Sequence, residues 1–585
     1  MNKPPVSRWI EVSLVVLALG VYANTFQHGF TFDDLGVILH NPAITDWRRI
    51  PKLFTQGYWS HLFSGVGNYR PLTMTTFAVE YTVWGEQPAG YHVVNVILHV
   101  LNTWLLFHLL RLYHTSPWVA GVAAMIFAVH PVHTEAVAGI VGRAELLGFF
   151  FGGLMWWSWR RAAVTRTAVG WWRVAAAAAY LGALLSKENF IVLPAALWLA
   201  EVLRRRRRLT TPAAWFHLTV PFGVFVLPLV VYFQLRALAG EGFAQTSGVG
   251  DIPLDGYTLG QRIVAMAGVS VEWYRLVVIG YPLKPWYDGL NVNIEPVWTW
   301  RATLGAVAVT VLAALGLATW RRAPLVAFAV GLWFITLALV SNIPIPLGTL
   351  VAERWLYAPS AGYAIAVGYG AWRLWRRPSG VYRIMVVVWL GVMVGGYAYG
   401  ATRRNLDWRN NFTLFRRFIE TDPGHPLGYI NTANFFIDTN RPLARKLYET
   451  ALQLDPRSIV PQLQLAQFDI EEQQWAAAGA RLERLLARKP PNCPVPSRDW
   501  GVAHALYARA LAASGAATLA EQEVELALRY GADDANVLLT VGATFLQLKR
   551  HDEAVRLFER LVERFPNNVA YQQRLEEALR LQAGS

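Results

Sequence analysis

Two adjacent carboxylates, Asp33 and Asp34, follow the first long apolar run of the chain. That run, residues 9–23, contains a single acid, Glu11. An ionised side chain beside a bilayer is energetically costly, so a function is expected for it. A carboxylate placed there can take a proton from an acceptor hydroxyl, so we expect Asp33 and Asp34 to be catalytic. The alternative is a hydrated loop turn, since Asp also favours helix N-caps.

Three cations lie at predicted helix ends, where they could hold a phosphate. Arg143 stands about two turns into a predicted helix, and its planar fork suits a phosphate or pyrophosphate. Lys187 and Arg354 occur beside acids in Ser186-Lys187-Glu188-Asn189 and Glu353-Arg354. For these two, phosphate binding and local charge neutralisation are equally supported by the sequence.

Further polar residues surround these positions and are candidates for a supporting role. His130, His133 and Glu135 could bind a divalent metal, but their spacing is not that of a zinc signature, so hydrogen bonding is favoured and the metal stays unknown. The other members of this supporting set are Arg70, Glu145, Glu188, Glu353 and Tyr357.

Paired carboxylates opposite an arginine predict group transfer from a lipid phosphate. One carboxylate would deprotonate an acceptor hydroxyl, of a sugar or of Ser/Thr, while the cation stabilises the leaving phosphate. The sequence has no Walker loop, no dinucleotide glycine motif and no Gly-x-Ser-x-Gly elbow, which excludes ATP-driven transport and common hydrolases.

The composition is that of a membrane protein. Of 585 residues, 54% are hydrophobic and only 16% charged, well below the quarter typical of soluble domains. The net charge of +14 is spread in short basic clusters between apolar runs, of which 204–208 is the longest. Such clusters indicate cytoplasmic loops and argue against nucleic-acid binding. The single cysteine, Cys493, excludes internal disulfides.

If all these clusters lie on the cytoplasmic side, the helices must alternate in direction, which predicts about eleven transmembrane helices. The chain after residue 402 then lies outside the cytoplasm. We expect 29–75 to form the first outer loop, and 236–300 an outer loop with interfacial helices. The predicted spans are 9–28, 90–111, 117–131, 136–159, 172–187, 189–203, 213–235, 302–320, 324–341, 355–373 and 382–401.

Beyond residue 403 the chain becomes a soluble domain with a 34-residue period, which is that of tetratricopeptide repeats. We expect a membrane domain over 1–403, a linker over 404–424 and a repeat domain over 425–585. The repeats are 425–458, 459–492, 493–534 with an eight-residue insertion, and 535–568, followed by a capping helix over 569–582. Their groove predicts a protein or peptide partner; a spacer or self-association module is the alternative.

At these residues the chain resembles the transmembrane and tetratricopeptide repeat-containing O-mannosyltransferases of the type C glycosyltransferase superfamily. The resemblance covers nearly the whole chain, and the block 130–147 is its most specific part. The other matching segments are 32–34, 69–72, 92–95 with His99 and Asn102, 186–188, 352–354 with 356–357, and 404–408.

The resemblance implies an all-α membrane fold, an inverting transfer and a polyprenyl- or dolichyl-phosphate sugar donor. It places the catalytic acid in the first outer loop, where Asp33 matches the first acid of the superfamily's Asp-Glu pair and Asp34 replaces the glutamate. It also adds His92 to the supporting residues and matches Arg143 to an arginine that faces the donor phosphate.

We therefore predict a membrane glycosyltransferase that moves a hexose, with mannose favoured, to a Ser/Thr hydroxyl of a protein presented by the repeats. The repeats would be periplasmic in a prokaryotic member and luminal in the endoplasmic reticulum of a eukaryotic one. The alternatives are a lipid or glycan acceptor, and a non-catalytic membrane-anchored scaffold. The scaffold leaves the clustered charges unexplained.

Overall fold

In the computed structural model the chain forms two compact units, residues 1–421 and 422–585. The structure describes residues 5–60, 68–165, 168–242, 254–289, 292, 294–489, 497–565 and 568–584. Over these residues it is helical, and its one extended pairing is an isolated antiparallel bridge between Tyr287 and Val351. The predicted all-α architecture is confirmed.

Among the described residues, the first unit contains seventeen α-helices. Prolines stand in the first turn of several of them, where the missing N–H costs no hydrogen bond. The helices are α1 (Pro5–Tyr22), α2 (Ile50–Leu53), α3 (Pro71–Trp84), α4 (Pro88–Leu112), α5 (Pro117–Val129), α6 (Thr134–Ala138), α7 (Arg143–Val164), α8 (Val169–Ser186), α9 (Leu193–Arg205), α10 (Pro212–Thr219), α11 (Val226–Leu238), α12 (Leu259–Val278), α13 (Trp300–Thr319), α14 (Pro324–Leu337), α15 (Tyr357–Trp375), α16 (Gly380–Asn405) and α17 (Asn411–Thr421).

Each predicted span coincides with one or two of these helices. Among the described residues, five helices are long and apolar enough to cross a membrane, and a sixth crossing is possible if the bent pair Pro117–Val129 and Pro131–Ala138 counts as one span. The total of eleven spans therefore stays a prediction. The helix α12 lies in the predicted outer loop and is not among the five.

Small residues allow the membrane helices to pack closely. A Cβ on Gly362 of α15 would lie 2.5 Å from the carbonyl oxygen of Ala329 on α14, and one on Gly368 would lie 2.9 Å from that of Val119 on α5. Glycine is the residue that permits such backbone approach between membrane helices. The apolar core of the unit accordingly includes α5, α14 and α15.

Residues 404–421 differ from the expected linker. The helix α16 continues to Asn405, a 3₁₀ turn follows, and α17 packs within the first unit. The backbone N–H of Gly29 donates to the carbonyl of Arg409 at 2.9 Å. The last helix of this unit is thus fixed against the chain that carries the two aspartates.

In the part of the second unit that the structure describes, the helices form four hairpins and a final helix. The first, second and fourth hairpins begin within one residue of the predicted repeat starts. The helices are α18 (Pro426–Phe436), α19 (Arg441–Leu454), α20 (Ile459–Glu471), α21 (Trp475–Leu486), α22 (Arg498–Ala513), α23 (Ala517–Gly531), α24 (Ala535–Gln547), α25 (His551–Arg564) and α26 (Val569–Ala583).

Small side chains close the packing inside these hairpins. Ala444, Ala478 and Ala554, on the second helix of their hairpins, are fully buried, as close helix crossing requires. The predicted insertion with Cys493 lies outside the described residues.

A buried carboxylate links the first two hairpins. Asp469 on α20 is 1% exposed and accepts hydrogen bonds from Arg445 Nη1 at 2.8 Å and Arg481 Nε at 3.3 Å.

We expect Asp469→Asn to destabilise the repeat unit by about 1.5–3 kcal/mol, because hydrogen bonds between charged groups are lost. Urea unfolding of residues 422–585 measures this, with exposed Glu449→Gln on α19 as the control. Equal midpoints for the two variants would contradict the prediction.

Candidate active site

The two aspartates occupy different environments. Asp34 is buried, and its Oδ2 accepts from the Thr31 backbone N–H at 3.0 Å while its Oδ1 accepts from that of Val141 at 2.9 Å. Burial raises the pKa of Asp34 to about 7, against the lowering effect of these backbone hydrogen bonds. Asp34 therefore joins the first loop to the segment before α7.

Asp33 is only partly buried and lines a cavity of about 370 Å³. Burial raises its pKa above the usual 3.8, opposed by the positive charge of Arg354 and assisted by the negative charge of Glu135. A carboxylate with a raised pKa that faces a cavity is suited to accept a proton from a bound hydroxyl. Of the two aspartates, Asp33 has the geometry of a general base.

The backbone before Asp33 is held in an unusual conformation. Phe32 has φ of +53°, which for a residue other than glycine costs on the order of 1–3 kcal/mol. Its N–H donates to Asn411 Oδ1 at 2.6 Å, and its ring packs edge-on against Phe415, with centroids 5.6 Å apart. The helix α17 thus holds the loop in the conformation that aims Asp33 at the cavity.

Among the described residues, four cations line this cavity with Asp33, and three of them, Arg70, Lys187 and Arg354, have acidic partners. Arg70 donates to Glu188 through Nε at 3.0 Å and Nη2 at 2.6 Å, Lys187 Nζ lies 2.5 Å from Glu145 Oε1, and Arg354 pairs with Glu135. Glu188 also lines the cavity; burial would raise its pKa, but the Arg70 charge and hydrogen bonds outweigh this and hold it at about 2.

Arg354 is the least enclosed of these three cations. Its side chain is 24% exposed, against 15% for Arg70 and 4% for Lys187. Its hydrogen bonds among the described residues run from Nη1 and from its backbone N–H to Glu135. The cavity-facing part of its guanidinium is therefore the best placed group for an incoming anion.

Apolar and aromatic side chains complete the lining of the cavity. They come from the segment that follows α14, from the turns before α9 and α15, and from aromatic residues of the first loop and of α11. These lining residues include Tyr58, Trp59, Ile191, Phe233, Leu339, Val340, Ile345, Leu347 and Trp355. The cavity thus combines a cationic, carboxylate-bearing side with a side suited to a hydrocarbon chain.

Arg143 lies elsewhere, in a closed network. It is 0% exposed and is not among the cavity residues. Its guanidinium pairs with Glu80 on α3, donates to Asn95 Oδ1 at 2.6 Å and to the Tyr91 carbonyl at 2.7 Å, and stacks over Phe77. We expected a donor phosphate as its counter-charge, but the structure supplies Glu80 instead.

The histidines also form internal hydrogen bonds. His130 Nε2 lies 2.7 Å from the Val277 carbonyl while its Nδ1 accepts from the Val132 N–H, and His133 Nε2 lies 2.7 Å from Ser360 Oγ. Among the described residues no group of three His, Cys, Asp or Glu side chains could hold a metal ion. These bonds favour hydrogen-bonding structure for the pair.

The remaining supporting residues are not among those that line the cavity. His92 Nε2 lies 3.4 Å from the Gly29 carbonyl, and the Tyr357 hydroxyl lies 2.9 Å from His99 Nδ1. Glu353 accepts from Arg404 and from the Tyr287 hydroxyl, and burial raises its pKa to about 7. They brace the helices that position Asp33 and Arg354.

Two residues of this region escaped the sequence analysis. Arg236 lines the cavity at the end of α11, where it donates to the Tyr232 hydroxyl at 3.0 Å. Glu80 is the partner of Arg143. Both had the same signal in the sequence, an ionisable residue inside or directly after an apolar run.

The chain is similar to curated protein O-mannosyl-transferases of animals. It is 28% identical to Tmtc1 of Drosophila melanogaster, over 71% of this chain and 58% of that protein. It is 26% identical to human TMTC3, over 70% of this chain and 48% of the relative, and 26% identical to F38B6.6 of Caenorhabditis elegans, over 77% and 64%. The chain thus spans about half to two thirds of these relatives' length, and the resemblance seen in the sequence is confirmed.

A tetratricopeptide-repeat family profile matches residues 537–568, which confirms the repeat character of the second unit. Among solved structures, the Archaeoglobus fulgidus oligosaccharyltransferase AglB in complex with an inhibitory peptide and a dolichol-phosphate has 13% identity and a TM-score of 0.40, covering 68% of this chain and 56% of that one. ArnT from Cupriavidus metallidurans bound to undecaprenyl phosphate has 15% identity and a TM-score of 0.36, covering 84% and 82%.

The closed network around Arg143 predicts a structural role for this residue. Arg143→Met leaves Glu80 as an uncompensated buried charge, which costs about 3–5 kcal/mol. We expect Arg143→Met to lower the melting temperature of the purified protein, and a second change, Glu80→Leu, to restore part of the loss. Thermal unfolding in detergent measures both. A single variant that melts like the wild type would show that Arg143 does not depend on this pair.

Proposed function

We propose that this chain is a membrane glycosyltransferase of type C fold that transfers a hexose, with mannose favoured, from a polyprenyl- or dolichyl-phosphate carrier to a protein Ser/Thr hydroxyl. The observation that carries the proposal is the cavity in which Asp33 faces Arg70, Lys187 and Arg354 beside an apolar wall. The names of the curated relatives support the reaction type and the sugar.

The donor fits the cavity by its two chemical parts. A polyprenyl chain would lie along the apolar side, which includes Val340, Ile345 and Leu347. The phosphodiester would lie at the cationic side, where Arg354 offers the most accessible guanidinium. Its planar fork can donate two parallel hydrogen bonds to phosphate oxygens. The sugar would then project toward Asp33.

The reaction is a single displacement at the sugar's anomeric carbon. Asp33 takes the proton from the acceptor hydroxyl while the hydroxyl oxygen bonds to the anomeric carbon. At the same time the bond between that carbon and the phosphate oxygen breaks. The electron pair stays on the phosphate, whose charge rises from −1 toward −2. Cations aimed at charge that develops in the transition state are the strongest source of rate enhancement here. One displacement inverts the anomeric configuration.

The acceptor is proposed to be a protein held by the repeat unit, outside the cytoplasm. Stacked repeats of this kind form an extended concave binding surface. The positive-inside distribution of the basic clusters supports this sidedness, because the run 204–208 follows α9 and residues 321–322 follow α13. A lipid or glycan acceptor is the second candidate; the apolar side chains that line the cavity favour the lipid.

Loss and restoration of glycopeptides tests this function together with the role of Asp33. In cells that lack the gene, O-hexosylated Ser/Thr peptides should disappear and return with the wild-type chain. Asp33→Asn should lower transfer by about 10²- to 10⁴-fold, since it removes the proton acceptor and keeps the size. Asp34→Asn, with its buried backbone contacts, should reduce the amount of folded protein instead. Quantitative glycoproteomics, normalised to protein level, separates the two.

The possible outcomes discriminate between the candidates. Unchanged glycopeptides with an altered lipid or glycan pool would favour the second acceptor class. No change in any glycoconjugate would favour a scaffold. Full transfer by folded Asp33→Asn would remove Asp33 from the mechanism.

Because the pKa of Asp33 is raised above the usual value of 3.8, transfer by the wild type should decline as the pH falls through that raised pKa.

Arg354 is expected to set donor affinity. Arg354→Lys keeps the charge and loses the fork, so the apparent donor affinity should fall about tenfold or more, the equivalent of one charge-assisted hydrogen bond. Titration with a synthetic polyprenyl-phosphate mannose, followed by release of polyprenyl phosphate, measures this. Arg111→Lys, on an exposed site away from the cavity, is the matched control. Equal donor dependence in both variants would move the phosphate to another cation.

A further inference from the structure

A second cavity, of about 700 Å³, lies along α16 and shares no lining residue with the cavity of Asp33. It runs between the C-terminal half of α16, the chain that follows α12, and α17. One end of the groove is apolar, with Val392, Met393 and Gly396, and its other end carries Arg403 and residues of α17. From Val392 to Arg403 a helix rises about 16 Å, roughly half the hydrocarbon thickness of a bilayer.

The apolar end is open to its surroundings. Val392 is 71% exposed and Tyr399 is 70% exposed. A Cβ built on Gly396 would meet no atom within 4 Å, so the groove is free at that point. Tyr281 is 62% exposed on the facing side. Tyrosines of this kind are typical of the level at which hydrocarbon meets head groups.

The other end is positively charged. Among the described residues its lining contains four arginines, at 403, 404, 416 and 417, and two carboxylates, Asp407 and Glu420. Arg416 Nε and Arg417 Nη1 share Glu420, at 3.1 and 2.9 Å. Arg404 is 6% exposed and already pairs with Glu353 at 3.2 Å and Asp407 at 3.0 Å. For the remaining arginines, 403, 416 and 417, Glu420 is the other lining carboxylate among the described residues. This excess of positive charge calls for an anion.

We propose that this groove binds an anionic phospholipid. Its phosphodiester would lie against Arg403, Arg416 and Arg417, and one acyl chain would follow α16 past Gly396. An amphiphile fits both ends at once, whereas a free phosphate fits only the arginines. Since α17 also holds Phe32, the lipid would support the same helix that fixes the loop of Asp33.

The glycines of α16 provide a matched pair for the test. Both Gly395 and Gly396 have open space where a Cβ would stand, but only Gly396 lines the groove. Gly396→Leu would therefore place a side chain in the groove without a clash at its Cβ, and Gly395→Leu is its control. Arg403→Gln removes one exposed charge from the head-group end.

Native mass spectrometry of the full-length protein, purified in detergent with added phosphatidylglycerol or phosphatidylcholine, measures retention. Wild type and Gly395→Leu should retain phosphatidylglycerol in preference to phosphatidylcholine. Gly396→Leu should lose that retention, and Arg403→Gln should weaken it about fivefold, as expected for one arginine at a lipid surface. The measurement requires no sugar transfer, so its outcome is independent of the proposed activity.

Four results would overturn the proposal. The first is that Gly396→Leu retains as much phosphatidylglycerol as the control, and the second is equal retention of the two phospholipids. The third is competition by inorganic phosphate at the concentration of the lipid, which would indicate an anion site without a lipid. The fourth is displacement of phosphatidylglycerol by an equal amount of polyprenyl phosphate, which would make the groove a site for the donor lipid.

Discussion

The capture of Asp34 by two backbone amides is the constraint on which the site depends. The N–H groups of Thr31 and Val141 hold its two oxygens, so one carboxylate of the pair ties the first loop to the segment before α7. Its neighbour is then fixed toward the cavity. The positive φ of Phe32, held by Asn411, sets the direction of the chain at that step. We propose that Asp34 has a structural role and that Asp33 carries out the chemistry.

Paired charges then shape the cavity around Asp33. Arg70, Lys187 and Arg354 come from different segments, and each is paired with a carboxylate from its surroundings. Unpaired charges in such an environment would be expensive, and paired ones are stable only with good geometry. These pairs keep three cations beside the base without a ligand, and the accessible fork of Arg354 leaves room for a phosphate. The site is electrostatically prepared before substrate binds.

Local patterns predicted much of this fold, whereas contacts between distant segments could not be read from the sequence. Helical hairpins begin at Pro426, Ile459 and Ala535, at the predicted repeat starts, because each repeat contacts mainly its neighbours. The division of roles between Asp33 and Asp34 depends on an amide 107 residues away. Arg143 differs from expectation for the same reason. Its partner Glu80 lies 63 residues before it, between the predicted first outer loop and the next predicted span.

A structure of Asp33→Asn with a bound polyprenyl-phosphate mannose tests the central claim most directly. The account predicts the phosphate within hydrogen-bonding distance of Arg354, the lipid chain against Val340 and Leu347, and the anomeric carbon facing the side chain at position 33. A phosphate bound at Arg143, or a lipid chain that avoids this cavity, would contradict it.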